Sequence, residues 1–242
     1  MRLSGRRGSY GVDAPYMLIV PFAILLFNIT AGVVNRSPWP LVGAGLLLLC
    51  AATGLHASRR GKFLVWRDLL DQAAVDGESR VLDIGCGRGA VLTLVAGHLT
   101  TGRAVGIDLW KGSDQSGNSA PATRRNAEAE GVARRVDVCT ADMRALPFGD
   151  ATFDLIVSNI AIHNVSGREN RARAIDEAVR VLRPGGRLMV ADIFSAPEYR
   201  ARLGALGLQA VEQRNLGWRM WWGGPWVPTR LVTARKGPTR SP

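Results

Sequence analysis

The sequence predicts an α/β protein: a central, mostly parallel sheet with helices on both faces, preceded by a two-helix apolar hairpin. Three observations carry this. From residue 80 onward, short apolar runs alternate with segments of helical period, the rhythm of strand, crossover helix and parallel strand. The first apolar run ends in a glycine-rich turn, DIGCGRG, followed directly by a helical segment. Ahead of both, residues 14–57 hold Arg36 as their one formal charge. At 242 residues the chain has room for one domain of ordinary size plus a short appendage. The net charge of +11 suits anionic lipid headgroups or nucleic acid and says little about fold. Cys50, Cys86 and Cys139 form no CxxC or Cys/His ligand spacing, so no metal site or disulfide framework is expected, and the domain reads as facing a reducing compartment.

Residues 1–13 form a basic N-terminus. The run from Ala14 to Val34 is uncharged for about 20 residues, roughly 30 Å of helix and one hydrocarbon thickness. After NRSP, a second run from Trp39 to Leu55 reaches about 17 residues, the lower limit for spanning. So short a connection makes residues 14–57 a helical hairpin, and Gly43–Gly45 gives its second arm a small-residue face for close packing. Arg2, Arg6 and Arg7 precede the hairpin and Arg59, Arg60 and Lys62 follow it. That asymmetry places both termini and the downstream domain in the cytoplasm, at the cytoplasmic membrane if the cell is bacterial. Three other readings stay open: a signal peptide, a buried soluble hairpin interrupted by Pro21, Asn28 and Thr30, and a hairpin that enters the bilayer without crossing it.

Residues 58–77 read as a juxtamembrane linker helix, basic and then amphipathic, with Phe63, Trp66, Leu69 and Leu70 at helical spacing and Trp66 assigned to the core. The domain then runs from 78 to 236, with 237–242 a tail. Its elements follow in order: strand RVLDIG, helix AVLTLVAGHL, strand AVGID, helix ATRRNAEAEGV, strand RVDVCTAD, strand FDLIVSN, helix NRARAIDEAVRVL, and strand RLMVADI after the RPGG turn. QAVEQRN and RLVTARK supply two final strands. In the last long helix, Ile175, Ala178, Val179 and Leu182 make one packing stripe.

The glycine turn is GxGxG and lacks the spacing of the dinucleotide fingerprint, which lowers the odds of NAD. Asp108 ends the second strand, where an acidic side chain accepts both hydroxyls of a ribose. Asp142 ends the third, followed by Met143, an acid and an apolar group suited to an adenine amino group and ring face. Read as packing alone, Asp83 braces the turn and Met143 fills the core.

These residues resemble the class I S-adenosylmethionine-dependent methyltransferases, of the group that includes the UbiE-like and type 11 enzymes. VLDIGCGRG, GID, TADMRALPFGDATFDLIVSN and EAVRVLRPGGRLMVADI correspond in order to five family motifs over residues 78–194. The resemblance implies a Rossmann-like fold with S-adenosyl-L-methionine as cofactor. It implies that Asp83 and the loop Gly85, Cys86, Gly87 and Gly89 face the methionine part, Asp108 and Leu109 the ribose, and Ala141, Asp142 and Met143 the adenine, while Ser158 and Asn159 close over the cofactor. The quinone-specific C-terminal insertion of the UbiE-like enzymes is missing here.

Methyl transfer is in-line displacement, so the protein mainly positions the nucleophile and excludes water. His163, the only histidine within the matched motifs, is the candidate catalytic residue, as general base or acceptor contact; a capping or hydrogen-bonding role is the alternative. SNIAIHNV lacks the Asn/Asp-Pro-Pro-aromatic pattern of amide and adenine methylation. The polar loop LWKGSDQSGNSAPATRRN after Asp108 reads as a lid or a passive surface loop. GWRMWWGGPWVP holds four of the seven tryptophans and suits an interfacial belt, an acceptor-pocket wall or packing against the hairpin.

The resulting expectation is a membrane-anchored methyltransferase acting on a lipophilic small molecule: a quinone, isoprenoid, alkylated aromatic or lipid headgroup. Its partners are that acceptor and membrane lipid, with nucleic acid disfavoured. The alternatives are an RNA methyltransferase, raised by the charge, and a membrane-bound cofactor-binding protein without turnover. Because the glycine turn, Asp108 and Asp142 all lie downstream, removing residues 1–57 is expected to spare cofactor binding.

Overall fold

The computed structural model describes residues 6–13 and 19–238, with side chains in the first helix described from Ala23. Arg2, the beginning of the apolar run at 14–18 and the end of the tail at 239–242 lie outside the described residues. Seven strands form one sheet: β1 (Arg80–Ile84), β2 (Arg103–Asp108), β3 (Val136–Thr140), β4 (Phe153–Asn159), β5 (Leu182–Asp192), β6 (Gln209–Asn215) and β7 (Arg230–Arg235). Their order is β3-β2-β1-β4-β5-β7-β6, parallel through β5, with β7 antiparallel to both β5 and β6. The chain reverses direction across the sheet between β1 and β4, and an open α/β sheet binds its ligand at the strand ends beside such a switch point.

Strand alternation sorts the core into two layers. Val81, Leu155, Val157 and Met189 face one side; Leu82, Ile156, Leu188 and Val190 face the other. The first layer is covered by α3 (Lys62–Ala73), through Trp66, Leu69 and Leu70, and by α4 (Ala90–His98), through Val91, Leu92 and Val95. The second is covered by α6 (Arg168–Val181), through Ala174, Ile175 and Ala178, and by α7 (Ala196–Ala205), through Tyr199 and Leu203. Trp66 is fully buried, as its spacing required. α5 (Ala120–Ala129) starts at Ser119, whose side chain accepts from the Ala122 N–H, and flanks β3.

Two details differ from the expectation. RPGG does not precede β5 but lies inside it: Leu182 pairs with Phe153 and Arg187 with Leu155, and the irregularity between them absorbs the extra residues, with Gly185 at φ +78°. α7 was not expected, because Pro197 and a run of polar residues mask its short apolar face of Ala196, Tyr199 and Leu203.

Residues 19–56 form an antiparallel helical pair, α1 (Ile19–Val34) and α2 (Pro38–His56). Asn28 and Thr30 donate back to the Ile24 and Leu26 carbonyls one turn earlier, which satisfies their polar groups inside the helix. Gly32 packs on Leu41 and Gly43 on Asn28, whereas Gly45 meets open space, so the small-residue face is narrower than Gly43–Gly45. Phe27, Val34, Trp39 and Leu49 are all more than 60 % exposed. α2 does not stop at the domain. A π-turn at Ala57–Gly61 carries it into α3, giving one helix from Pro38 to Ala73, long and apolar enough to cross a membrane; the other apolar helix, Ala23–Val34, is shorter.

The π-turn is a junction. Gly61 abuts the Arg219 carbonyl so closely that a side chain there would overlap it. His56 stacks on Trp218 at 4.9 Å between ring centroids. Residues 6–13 return across the domain surface, with Tyr10 buried against Phe63 and its hydroxyl bonded to Thr93 and Glu130.

Candidate active site

The cleft lies at the carboxyl ends of β1, β2 and β4, where the switch point puts it. Its floor is the turn from Ile84 to Ala90. Gly85 and Gly87 have φ of +72° and +51°, and a Cβ on Gly85 would overlap the Ala161 side chain, while one on Gly87 would sit 2.6 Å from the Gln115 Oε1. The turn's amides are spent internally: Gly85 and Cys86 donate to the Ile107 carbonyl, Gly87 to Asp108 Oδ2 and Arg88 to Gln115 Oε1. A phosphate cradle needs such amides free, so this turn suits a ligand that approaches closely without an anionic group seated on it.

Asp83, directly before the turn, is buried with Oδ2 lacking any partner, and burial followed by the Asp108 charge pushes its carboxyl up from 3.8 to about 8. A cationic ammonium in the cleft would supply the missing partner. The Cys86 thiol is likewise raised well above its ordinary value by burial, then by Asp83 and Asp108, and stays protonated.

Asp108 receives the amides of Gly87 and Trp110 and the Asn118 Nδ2, which fixes both of its oxygens at the end of β2. Asp142 is held well below the ordinary carboxylate range, first by the Arg144 guanidinium that clasps it at 2.6–3.0 Å. Met143 follows it on the wall, beside Gly85. Asn159 accepts from the buried Trp66 indole at 2.7 Å, leaving its amide nitrogen as the donor available to the cleft. A buried acid without a partner, an acid with both oxygens oriented, an acid beside Met143 and a floor whose amides are spent are compatible with S-adenosylmethionine on the roles the family resemblance implies.

Of the residues expected from sequence, Asp83, Gly85, Cys86, Gly87, Asp108, Leu109, Ala141, Asp142, Met143 and Asn159 line this cleft. Gly89 and Ser158 do not. Gly89 caps α4 at φ +82°, and Ser158 is buried with its hydroxyl on the Ile84 carbonyl, stapling β4 to β1. His163 also stands beside the wall rather than in it, between the lining residues Ala161 and Asn164. Its Nδ1 meets Asp192 Oδ1 at 2.6 Å, and its amide donates to Oδ2. Asp192 is fully buried and also receives the Ile193 amide and the Tyr199 hydroxyl, whose own ionisation is pushed up by burial and then by Asp192. Among the described residues, no cluster of metal-ligating side chains occurs.

The cleft includes groups that sequence reasoning missed: Asp13 from the N-terminal segment and Lys62 from the start of α3, joined by a 2.6 Å ion pair. Lys62 therefore does not reach toward a membrane surface, as counting it among the flanking cations required. Within the N-terminal segment, Asp13 lines the cleft and Tyr10 packs on α3 and α4. The loop after Asp108 contributes Lys111, Asp114, Gln115 and Asn118 to the wall. No tryptophan of the 217–228 loop lines this cleft; Trp218 stacks on His56 at the base of α2, and Trp218 and Trp226 remain exposed.

The fold and the cleft at its switch point are similar to those of S-adenosylmethionine-dependent methyltransferases. Residues 82–190 match the family described as "Methyltransferase domain". Among curated relatives, a ubiquinone/menaquinone biosynthesis C-methyltransferase UbiE of Ruegeria sp. (strain TM1040) is 35 % identical over 134 residues, 55 % of this chain and 50 % of that protein. The methyltransferase GfsG of Streptomyces halstedii is 37 % identical over 125 residues, 52 % of this chain and 41 % of that one. The chain thus spans about half the length of these relatives. A solved geranyl diphosphate methyltransferase bound to its diphosphate substrate and sinefungin superposes with a TM-score of 0.59 at 17 % identity, covering 75 % of this chain and 80 % of that one, a likeness of fold.

Proposed function

We propose that the protein is a membrane-anchored methyltransferase that carries a methyl group from S-adenosylmethionine to an uncharged, lipophilic acceptor of the quinone, isoprenoid, alkylated aromatic or lipid type. The observation that carries the reading is the single helix from Pro38 to Ala73, apolar and exposed in its first half and contributing Lys62 to the cleft from its second. The UbiE relative, named for quinone biosynthesis, lends support to the acceptor class. So does the wall at Asn159, Ile160, Ala161, Asn164, Val165 and Ser166, which offers amides, a hydroxyl and aliphatic groups but no cation.

When bound, the cofactor supplies a methyl group on a sulfonium, an electrophile that needs no further activation. The chain's part is to seat it through Asp83, Asp108 and Asp142, exclude water, and align the acceptor. His163 is the proposed base. Asp192 holds Nδ1 and fixes the tautomer, so a proton leaving the acceptor goes to Nε2. Against the RNA reading, which rests on the net charge of +11, stands the exposed apolar helix pair, a surface that a polyanion does not cover.

The test is incubation of full-length protein in lipid nanodiscs with radiolabelled S-adenosylmethionine and a total membrane-lipid extract, set beside bulk RNA. Label entering an organic-soluble product is expected. Label entering RNA, or no transfer while cofactor binds, would overturn the reading.

A further inference from the structure

The methionine part of the cofactor carries a carboxylate as well as an ammonium, and each needs a partner once shielded from water. Asp83, with its unpartnered buried oxygen, meets the ammonium. The carboxylate requires a cation. Among the described residues the cleft is lined by three: Lys62, Lys111 and Arg144. Arg144 is committed to Asp142 at the adenine end, and Lys111 is exposed on the loop after the ribose acid. Lys62 is 2 % exposed and lies against the glycine turn through one relay: Asp13 accepts from both Lys62 Nζ and Gln115 Nε2, and Gln115 accepts from the Arg88 amide.

We infer that Lys62 binds the carboxylate of the cofactor's methionine part and that Asp13 positions it, so that residues 6–13 form a strap completing the cofactor site. The inference rests on the cofactor reading above. A lysine ammonium has three donors; the Asp13 bond uses one and leaves the others for a ligand anion. Asp13 is itself fixed. Its Oδ2 also accepts from the Ser58 hydroxyl in the π-turn, and its amide donates to the same Ser58 oxygen. The strap that carries it is pinned along its length: Gly8 to Glu130, Ser9 to Asn126, and Val12 to Ser116. The segment leading to the hairpin and the helix leaving it therefore meet at one ion pair inside the cofactor site.

A ligand pair separates this role from mere structural support. S-adenosylhomocysteine carries the amino-acid part; methylthioadenosine has the same nucleoside without it. Calorimetry on the full-length protein in detergent should find that Lys62→Gln weakens S-adenosylhomocysteine by roughly tenfold to a hundredfold, the scale of a charge-assisted hydrogen bond, and leaves methylthioadenosine unchanged. Lys62→Arg should recover part of the loss. Because Lys62→Gln removes one partner of a buried pair, the double variant Asp13→Asn/Lys62→Gln serves as a control without a stranded charge. It should melt near wild type and show the same ligand-specific loss. Equal weakening of both ligands in the double variant, or no loss for S-adenosylhomocysteine, would overturn the inference. Wild-type protein binding methylthioadenosine no less tightly than S-adenosylhomocysteine would overturn it while leaving the nucleoside site standing. Binding of neither ligand would remove the cofactor reading and this inference together.

Discussion

Helices α4 and α2 are written in nearly the same letters and meet opposite fates. AVLTLVAGH buries Ala90, Val91, Leu92, Val95 and Ala96 between the sheet and α3. PWPLVGAGLLLLCAATGLH buries Ala44, while Leu46, Leu48 and Leu49 are each more than half exposed. The difference is topology. α4 is a crossover helix, and its neighbours in the chain deliver a sheet face to cover it. Apart from the end that meets Trp218, α2 is delivered one partner, α1, and a helix pair hides only the facing stripes. Among the described residues its other faces are left uncovered. Hydrophobicity alone does not say where a segment goes; the count of surfaces the chain brings to it does.

The largest expected effect comes from truncating matched leucines. Leu92→Ala should cost about 2–5 kcal/mol in urea unfolding of the domain, whereas Leu49→Ala should change it by less than about 0.5 kcal/mol. Equal losses would mean that the α2 surface is covered within the folded protein, and the comparison would break. Next is the chemistry beside the α4 turn. His163→Ala should lower turnover by about a hundredfold or more with S-adenosylhomocysteine affinity unchanged, since the imidazole stands outside the cofactor cleft. Unaltered turnover would reduce His163 to a brace for the Ile162–Asn164 turn.

The third effect is a pH dependence. An acid raised from 3.8 to about 8 binds more protons folded than unfolded across that window, so the ligand-free domain loses stability as pH rises through it. An ammonium ligand favours the ionised acid. Cofactor affinity should therefore rise with pH, by at most about tenfold per unit, and level off above pH 8, and Asp83→Asn should flatten the curve. A flat wild-type profile between pH 6 and 8 would separate Asp83 from the ammonium. Smallest is the edge of the apolar arm: Trp218→Ala and Trp39→Ala, both exposed, should each weaken liposome partitioning a few-fold and spare cofactor binding.

Residues whose meaning is local were legible. The glycine turn, Asp83, Asp108, Asp142 and Met143 could be placed at one cleft because each lies at or near the carboxyl end of a strand, and strand order then brings them together. Lys62 and Asp13 could not. They are 49 positions apart, and Lys62 sits in a basic cluster whose pattern reads equally well as a membrane-surface flank. Only the strap's return across α5 shows that one of three neighbouring cations turns inward. His163 was singled out by its rarity, but its partner Asp192 was not, since an acid ending a strand gives no sign of what approaches it from 29 positions away.

A domain tied to its anchor by a loose linker would swivel, presenting its mouth to the bilayer in every pose. The stalk here has no hinge: Pro38 to Ala73 is one rod, wedged at Gly61 against the Arg219 carbonyl. On the proposed anchoring, whatever tilt lipid imposes on the apolar half is inherited by the half that carries Lys62. Bilayer thickness would then become an input to the catalytic geometry, and a membrane too thin for the arm would aim the entrance elsewhere without altering a single residue of the site.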